Sequence, residues 1–290
     1  MEDAFEPSIG SAAEHWKFMG DSKLSRRRRS AMAVSLDYLL VEDAPPAAVI
    51  TLNRPEQLNA LSTGLMRELT AELKRQAARP EVRVIVLKGA GRAFSAGHDL
   101  KEMLDRSLDE ERDIFTVCNG LMATVQSVPV PVIAAPHGIA TAAGCQLVAT
   151  CDLAIASDDC RFATSGVKYG LFCSTPGVAV ARNISRKHAL EMLLTGRFID
   201  AATAERWGLI NRAVPRDQLD KEVMALVSEL AQLSRHALQI GKEGFYKQIE
   251  ATQVEAYEMM AEAISCNAVA PDGQEGIAAF VEKRKPIWTS

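Results

Sequence analysis

The chain has 290 residues, enough for one large domain with a sizeable core, or one domain with a smaller appendage. With 33 basic and 37 acidic residues it carries a net charge of -4, and 48% of its residues are hydrophobic, the balance of a globular protein that does not seek nucleic acid. No apolar run reaches the roughly 18 residues that a membrane span needs. Its six cysteines show neither C-x-x-C nor zinc spacing, which predicts free thiols in a reducing compartment.

Residues 1–34 lack an apolar period and end in the run Arg26-Arg27-Arg28-Arg29, so they read as a flexible arm. Acids at Glu2, Asp3, Glu6, Glu14 and Asp21 argue against a secretory signal and against a mitochondrial presequence. Cytoplasm is therefore the expected location, with the mitochondrial matrix as the alternative. From Leu36 the pattern turns regular. Tyr38–Val41 and Ala48–Leu52 read as paired strands around the Pro45-Pro46 turn, and Ser62 as the N-cap of a helix that buries Leu65, Met66, Leu69 and Leu73. Val82–Leu87 is a buried strand leading into the glycine-rich loop Lys88–Asp99. A helical region over about 109–126 precedes the core strand at Val130–Ala135.

That strand runs into the small-residue stretch Gly138-Ile139-Ala140-Thr141-Ala142-Ala143-Gly144, after which no helix breaker occurs before Asp152. A strand, a turn of tiny residues and a helix start let a ligand approach the backbone, and unpaired N–H groups there favour negative charge. Tight helix–strand packing is the alternative use of the same pattern. Leu153–Ala156 supplies a further short strand, and strands separated by helix-sized crossovers imply parallel pairing. Beyond Arg186 the chain reads as mostly helical, with stops at Gly196 and Gly208, an amphipathic stretch over Leu219–Leu233, and helical periodicity from Leu238 to Val269.

Several strings in order carry a family resemblance: Asn53-Arg54-Pro55-Glu56-Gln57-Leu58-Asn59-Ala60-Leu61, Phe94-Ser95-Ala96-Gly97-His98-Asp99-Leu100-Lys101-Glu102, the turn after Pro129–Ala135, Cys151-Asp152-Leu153-Ala154, and Phe280-Val281-Glu282-Lys283-Arg284-Lys285. From about Ser35 onward the chain resembles the enoyl-CoA hydratase/isomerase, or crotonase, superfamily. The resemblance implies an α/β fold built as a spiral of ββα units over 35–216, with a C-terminal α-helical oligomerisation region over 217–290. It also implies assembly as a homotrimer or a dimer of trimers, and an acyl-CoA substrate that brings its own coenzyme A. No cofactor, metal, nucleic acid or membrane partner is expected.

In such proteins two backbone N–H groups hold the thioester carbonyl, and by position these fall at Ala96 and Ala143. The resemblance places the coenzyme A along Ala96, Gly97, His98 and Asp99, with Phe280 and Lys283 on a C-terminal helix near the coenzyme A of a neighbouring subunit. Hydratases of the family use two glutamates, and at those positions this chain has Gln146 and Gly166. Gln146 cannot take a proton at neutral pH and Gly166 offers no side chain, so hydration by two carboxylates is not expected. Three alternatives stay open. His98 is the titratable candidate, or else it faces solvent or coenzyme A. The segment Thr164–Lys168 resembles dihydroxynaphthoyl-CoA synthases that bind bicarbonate in place of a carboxylate. Lastly, the chain binds acyl-CoA without turnover. Asp99 is expected to cap the following helix, and Tyr169 and Cys173 to serve packing.

Overall fold

The computed structural model describes residues 33–290. The arm expected over 1–34 lies outside the described residues except for its last two, which open β1 (Ala33–Ser35). A sheet of seven strands runs in the order β1, β2 (Leu39–Ala44), β3 (Ala47–Leu52), β4 (Val84–Gly89), β5 (Val132–Ala134), β7 (Leu153–Ser157), β10 (Arg212–Val214). Its first three strands pair antiparallel and the rest parallel. A second, three-stranded sheet joins β6 (Ile139–Thr141), β8 (Arg161–Ala163) and β9 (Ile199–Asp200). The short strand β6 lies inside the stretch read from sequence as turn alone.

The central strands are continuous apolar runs because both faces of the sheet are buried. Side chains alternate between two cores. Ile50, Ile85, Leu87 and Ala134 face one side, packed with Leu65 and Leu69 of α1 (Thr63–Ala77) and Cys118 and Leu121 of α2 (Leu108–Ser127). Val49, Val84, Val86, Ile133 and Ile155 face the other, against Val223 and Val227 of α7 (Leu219–Leu230). That period of two is what a strand dictates. Ser62 caps α1 as expected, accepting from the Leu65 amide at 3.2 Å, and Ser107 with Glu110 forms a capping box for α2.

The second half is helical: α3 (Ala143–Thr150), α4 (Ser174–Asn183), α5 (Arg186–Thr195) and α6 (Ala201–Trp207) come before α7. Gly196 and Gly208 end α5 and α6 in the left-handed region, as their place in the sequence predicts. The periodicity over 238–269 is not one helix. It divides into α8 (Arg235–Gln248) and α9 (Gln253–Val269), because Thr252 and Glu255 form a capping box that starts a new helix. α10 (Pro271–Val281) follows.

One buried ion pair fastens α8 to the core. The Lys242 ammonium donates to the Asp152 carboxylate at 2.6 Å and to the carbonyls of Val125 and Val130 at 2.8 and 3.0 Å. Asp152 also accepts from the Val132 amide at 2.7 Å and the Tyr246 hydroxyl at 2.9 Å. Burial pushes the Asp152 carboxyl up and the Lys242 ammonium down, while the attraction of each for the other opposes both shifts. With three acceptors around the ammonium and three donors on the carboxylate, both charges are kept.

Candidate active site

Two loops build the site, and the motif over 53–61 holds the first of them. Asn59 is fully buried at φ 54°, and its side-chain amide donates to the carbonyls of Ala90 and Ala93 at 2.9 and 2.8 Å. Arg54 reaches the Ala60 carbonyl at 2.8 Å and pairs with Asp99 at 3.0 Å. Asp99 therefore does not cap a helix. The chain after it forms turns, and α2 starts only at Leu108 with Ser107 as its cap.

Along this loop the amides are used up one by one. The Ala96 N–H, expected as one of the two carbonyl donors, is taken by the Leu58 carbonyl at 2.9 Å. Gly97 N–H donates to the Ser95 hydroxyl at 3.2 Å, and Asp99 N–H to the Leu61 carbonyl at 3.3 Å. Among the described residues no group accepts from the His98 N–H. The free amide on this loop thus lies two residues beyond the expected position. Spacing alone could not separate the two, because Gly97 at φ 92° breaks the regular alternation of the strand.

The second loop carries the matching donor. Ser95 and Ala140 form a parallel bridge, the Thr141 N–H donates to the Ser95 carbonyl at 3.0 Å, and the Ala142 N–H to the Ala163 carbonyl at 2.9 Å. Ala142 sits at φ 50°, ψ −120°, a conformation that costs an L-residue energy, directly before α3. The Ala143 N–H that follows has no acceptor among the described residues. A Cβ on Gly97 would stand 3.1 Å from the Ala143 nitrogen, so the two loops touch where the free amides lie. Gly144 has to be glycine for the same reason, since a Cβ there would come 2.4 Å from the Ser95 carbonyl oxygen. The dipole of α3 adds to the positive potential at this point.

Both loops open on a cavity of about 710 Å³, lined among others by Leu58, Ala96, His98, Thr141, Ala142 and Ala143. The far wall comes from the segment 165–176 and Phe198. Lys168 is the one charged side chain on the wall among the described residues, and no aspartate or glutamate lines it. The Thr141 and Ser165 hydroxyls are 2.9 Å apart, and the Thr164 hydroxyl is buried without a partner among the described residues. The His98 ring meets the Phe115 ring edge to face at 5.2 Å, and burial pushes its pKa down to about 4, opposed by Glu102. The imidazole is therefore neutral at pH 7 and a weak base.

The two positions that the resemblance assigns to the family glutamates have different surroundings. Gln146 is buried and does not line the cavity; its amide oxygen faces the Cys118 thiol at 4.0 Å. Gly166 does line it, but a Cβ there would come 2.5 Å from the Leu171 carbonyl oxygen and 2.8 Å from the Cys173 sulfur. Cys173 and Tyr169 line the cavity too. Phe280 and Lys283 do not; Phe280 is exposed on α10. The cysteines are all free, five buried and Cys266 exposed.

A spiral of paired strands and helices with two amide-bearing loops over one cavity defines the crotonase class of fold. The family model for enoyl-CoA hydratase/isomerase matches residues 45–290, and the chain belongs to that family. It is 46% identical over 241 residues to the mouse Enoyl-CoA hydratase domain-containing protein 3, mitochondrial, covering 83% of this chain and 80% of that one. The crystal structure of an enoyl-CoA hydratase from Mycobacterium smegmatis superposes with a TM-score of 0.85 at 47% identity, covering 88% of this chain and 100% of that one. The human Enoyl-CoA hydratase domain-containing protein 3 gives 0.82 at 43% identity, covering 90% and 100%.

Proposed function

We propose that the chain binds acyl-CoA thioesters and holds the thioester carbonyl between the His98 and Ala143 N–H groups. The observation that carries this reading is the pair of amides without acceptors among the described residues, on touching loops, at the wall of one cavity. Two such donors stabilise an enolate, and removing one typically costs roughly 3 kcal/mol of transition-state stabilisation. The chain acts as a lyase or isomerase on the carbon next to the thioester, without the paired carboxylates of ordinary hydration. His98 serves this site through its backbone, and its neutral ring forms wall. The mouse relative's name, which says mitochondrial, supports a mitochondrial location over the cytoplasm.

The test is calorimetric titration with butyryl-CoA, then hydration of crotonyl-CoA at high protein concentration with bicarbonate removed and restored. Binding with hydration at least 10²-fold below that of a two-glutamate enzyme, and indifferent to bicarbonate, agrees with the reading. Hydration that appears only with bicarbonate would transfer the base role to a bound anion near Thr164 and Ser165. Absence of butyryl-CoA binding would remove the thioester site.

A further inference from the structure

The helices after α7 are fastened unequally. Lys242 and Tyr246 tie α8 to the core through Asp152. Among the described residues α9 buries no side chain, and α10 buries only Asp272 and Ala279. Apolar burial therefore contributes little to holding these two helices, and local opening should cost less there than in the sheet.

The chain after α10 supplies the fastening. Lys283 sits at φ 56°, and the Arg284 N–H donates to the Ala279 carbonyl at 2.9 Å, a helix ending that usually carries glycine. An L-residue takes that conformation at a cost. It turns residues 284–290 back along α10. Arg284 donates to both oxygens of Glu275 at 2.6 and 2.9 Å, and the Ile287 N–H to the same carboxylate at 2.7 Å. The Trp288 indole N–H donates to the Gln232 carbonyl at 2.7 Å. The segment then ends on Asp272. That carboxylate accepts from the Ser234 hydroxyl at 2.6 Å, from the Thr289 N–H and hydroxyl at 2.7 Å each, and from the Ser290 hydroxyl. Burial opposes its ionisation, but the hydrogen bonds from Ser234, Ser290 and Thr289 draw its pKa well below the usual carboxylate range, so it is charged. Arg83, directly before β4, holds the main-chain oxygen of Ser290 at 2.8 Å.

The geometry points to a releasable strap: residues 284–290 latch α9 and α10 to the rest of the chain with Asp272 as the catch, and a negative charge at position 289 opens it. Opening frees the two helices as a unit, while the sheet and α8 stay folded. Thr289 and Ser290 are exposed, so water replaces their hydrogen bonds readily when the strap lifts. Release also relieves the left-handed backbone at Lys283. A charge added at Thr289 would replace a donor to Asp272 by a second anion, and like charges repel.

The experiment is amide hydrogen exchange of the full chain, followed by mass spectrometry. In the parent chain, protection in α9 and α10 is expected to be at least about tenfold below that in β4 and α1. Thr289→Asp, at an exposed position, should lower α9 and α10 protection about tenfold further and leave β4, α1 and α8 within about twofold. In an Asp272→Asn background the same substitution should change protection less than about twofold, because the repelling charge is gone. Equal protection throughout the parent chain overturns the strap, as does an unchanged α9 and α10 in Thr289→Asp. Loss of protection everywhere in Thr289→Asp would place residues 284–290 in the global core and overturn it too. An undiminished effect in the Asp272→Asn background would overturn Asp272 as the catch.

Discussion

The Gly166 amide donates to the Cys173 sulfur at 3.2 Å, and a Cβ on Gly166 would stand 2.8 Å from that same sulfur. The position at which the resemblance puts a hydratase glutamate is thus closed by its own neighbours, including the Leu171 carbonyl 2.5 Å from the added carbon. A cysteine can turn aside; a backbone carbonyl moves only with its loop. Gly166→Ala should destabilise by about 1–3 kcal/mol, measured by urea unfolding. Gln146→Glu with Gly166→Glu is expected to gain no hydration of crotonyl-CoA, because neither the space at 166 nor an opening at 146 exists. Hydratase activity in a stable double variant would show that the 171–173 segment yields.

Burial holds the His98 pKa near 4, against 6.5 for an unperturbed imidazole. The neutral ring is favoured by folding, so its contribution to stability is complete above pH 6.5 and is lost as pH falls toward 4. The full shift corresponds to roughly 3 kcal/mol. His137, also shifted down by burial, adds in the same direction. Unfolding free energies of the parent chain and His98→Gln should therefore converge between pH 7 and pH 4, the parent losing more. Parallel curves would mean that the ring is solvated.

Ala142 occupies φ 50°, ψ −120°, where glycine meets no steric penalty. Ala142→Gly is expected to stabilise the chain by about 1 kcal/mol, net of the entropy that glycine adds to the unfolded state. Thermal unfolding measures the gain. A lower melting temperature would mean that Cβ packing against the Gly97 loop outweighs the strain.

Lys242 and Asp152 are both largely buried, and each satisfies the other. Lys242→Met leaves the carboxylate with only Val132 and Tyr246, and should cost about 3–5 kcal/mol. Adding Asp152→Asn to Lys242→Met should recover part of that loss in a double-variant cycle. A single-variant loss below 1 kcal/mol would show that water reaches the pair.

Much of this was legible from sequence, and for identifiable reasons. The buried sheet reads out as apolar runs, Ser62 and the glycines at 196 and 208 mark helix ends through local chemistry, and the two small-residue loops announce close backbone approach. Lys242 was not legible, since nothing local distinguishes a lysine bound for Asp152, 90 residues away in sequence, from one facing water. Spacing points to Ala96 on the first loop because it does not reveal which carbonyls are near; in the structure the Leu58 carbonyl occupies that amide. From sequence Gly166 is an empty place, whereas packing from residues 171 and 173 fills it.

The most direct measurement is a crystal structure of the chain with acetyl-CoA bound. The account predicts the thioester oxygen within hydrogen-bonding distance, about 2.7–3.1 Å, of both the His98 and Ala143 nitrogens, with the Ala96 amide still on Leu58. A thioester oxygen bonded to the Ala96 amide, or lying away from Ala143, would contradict it.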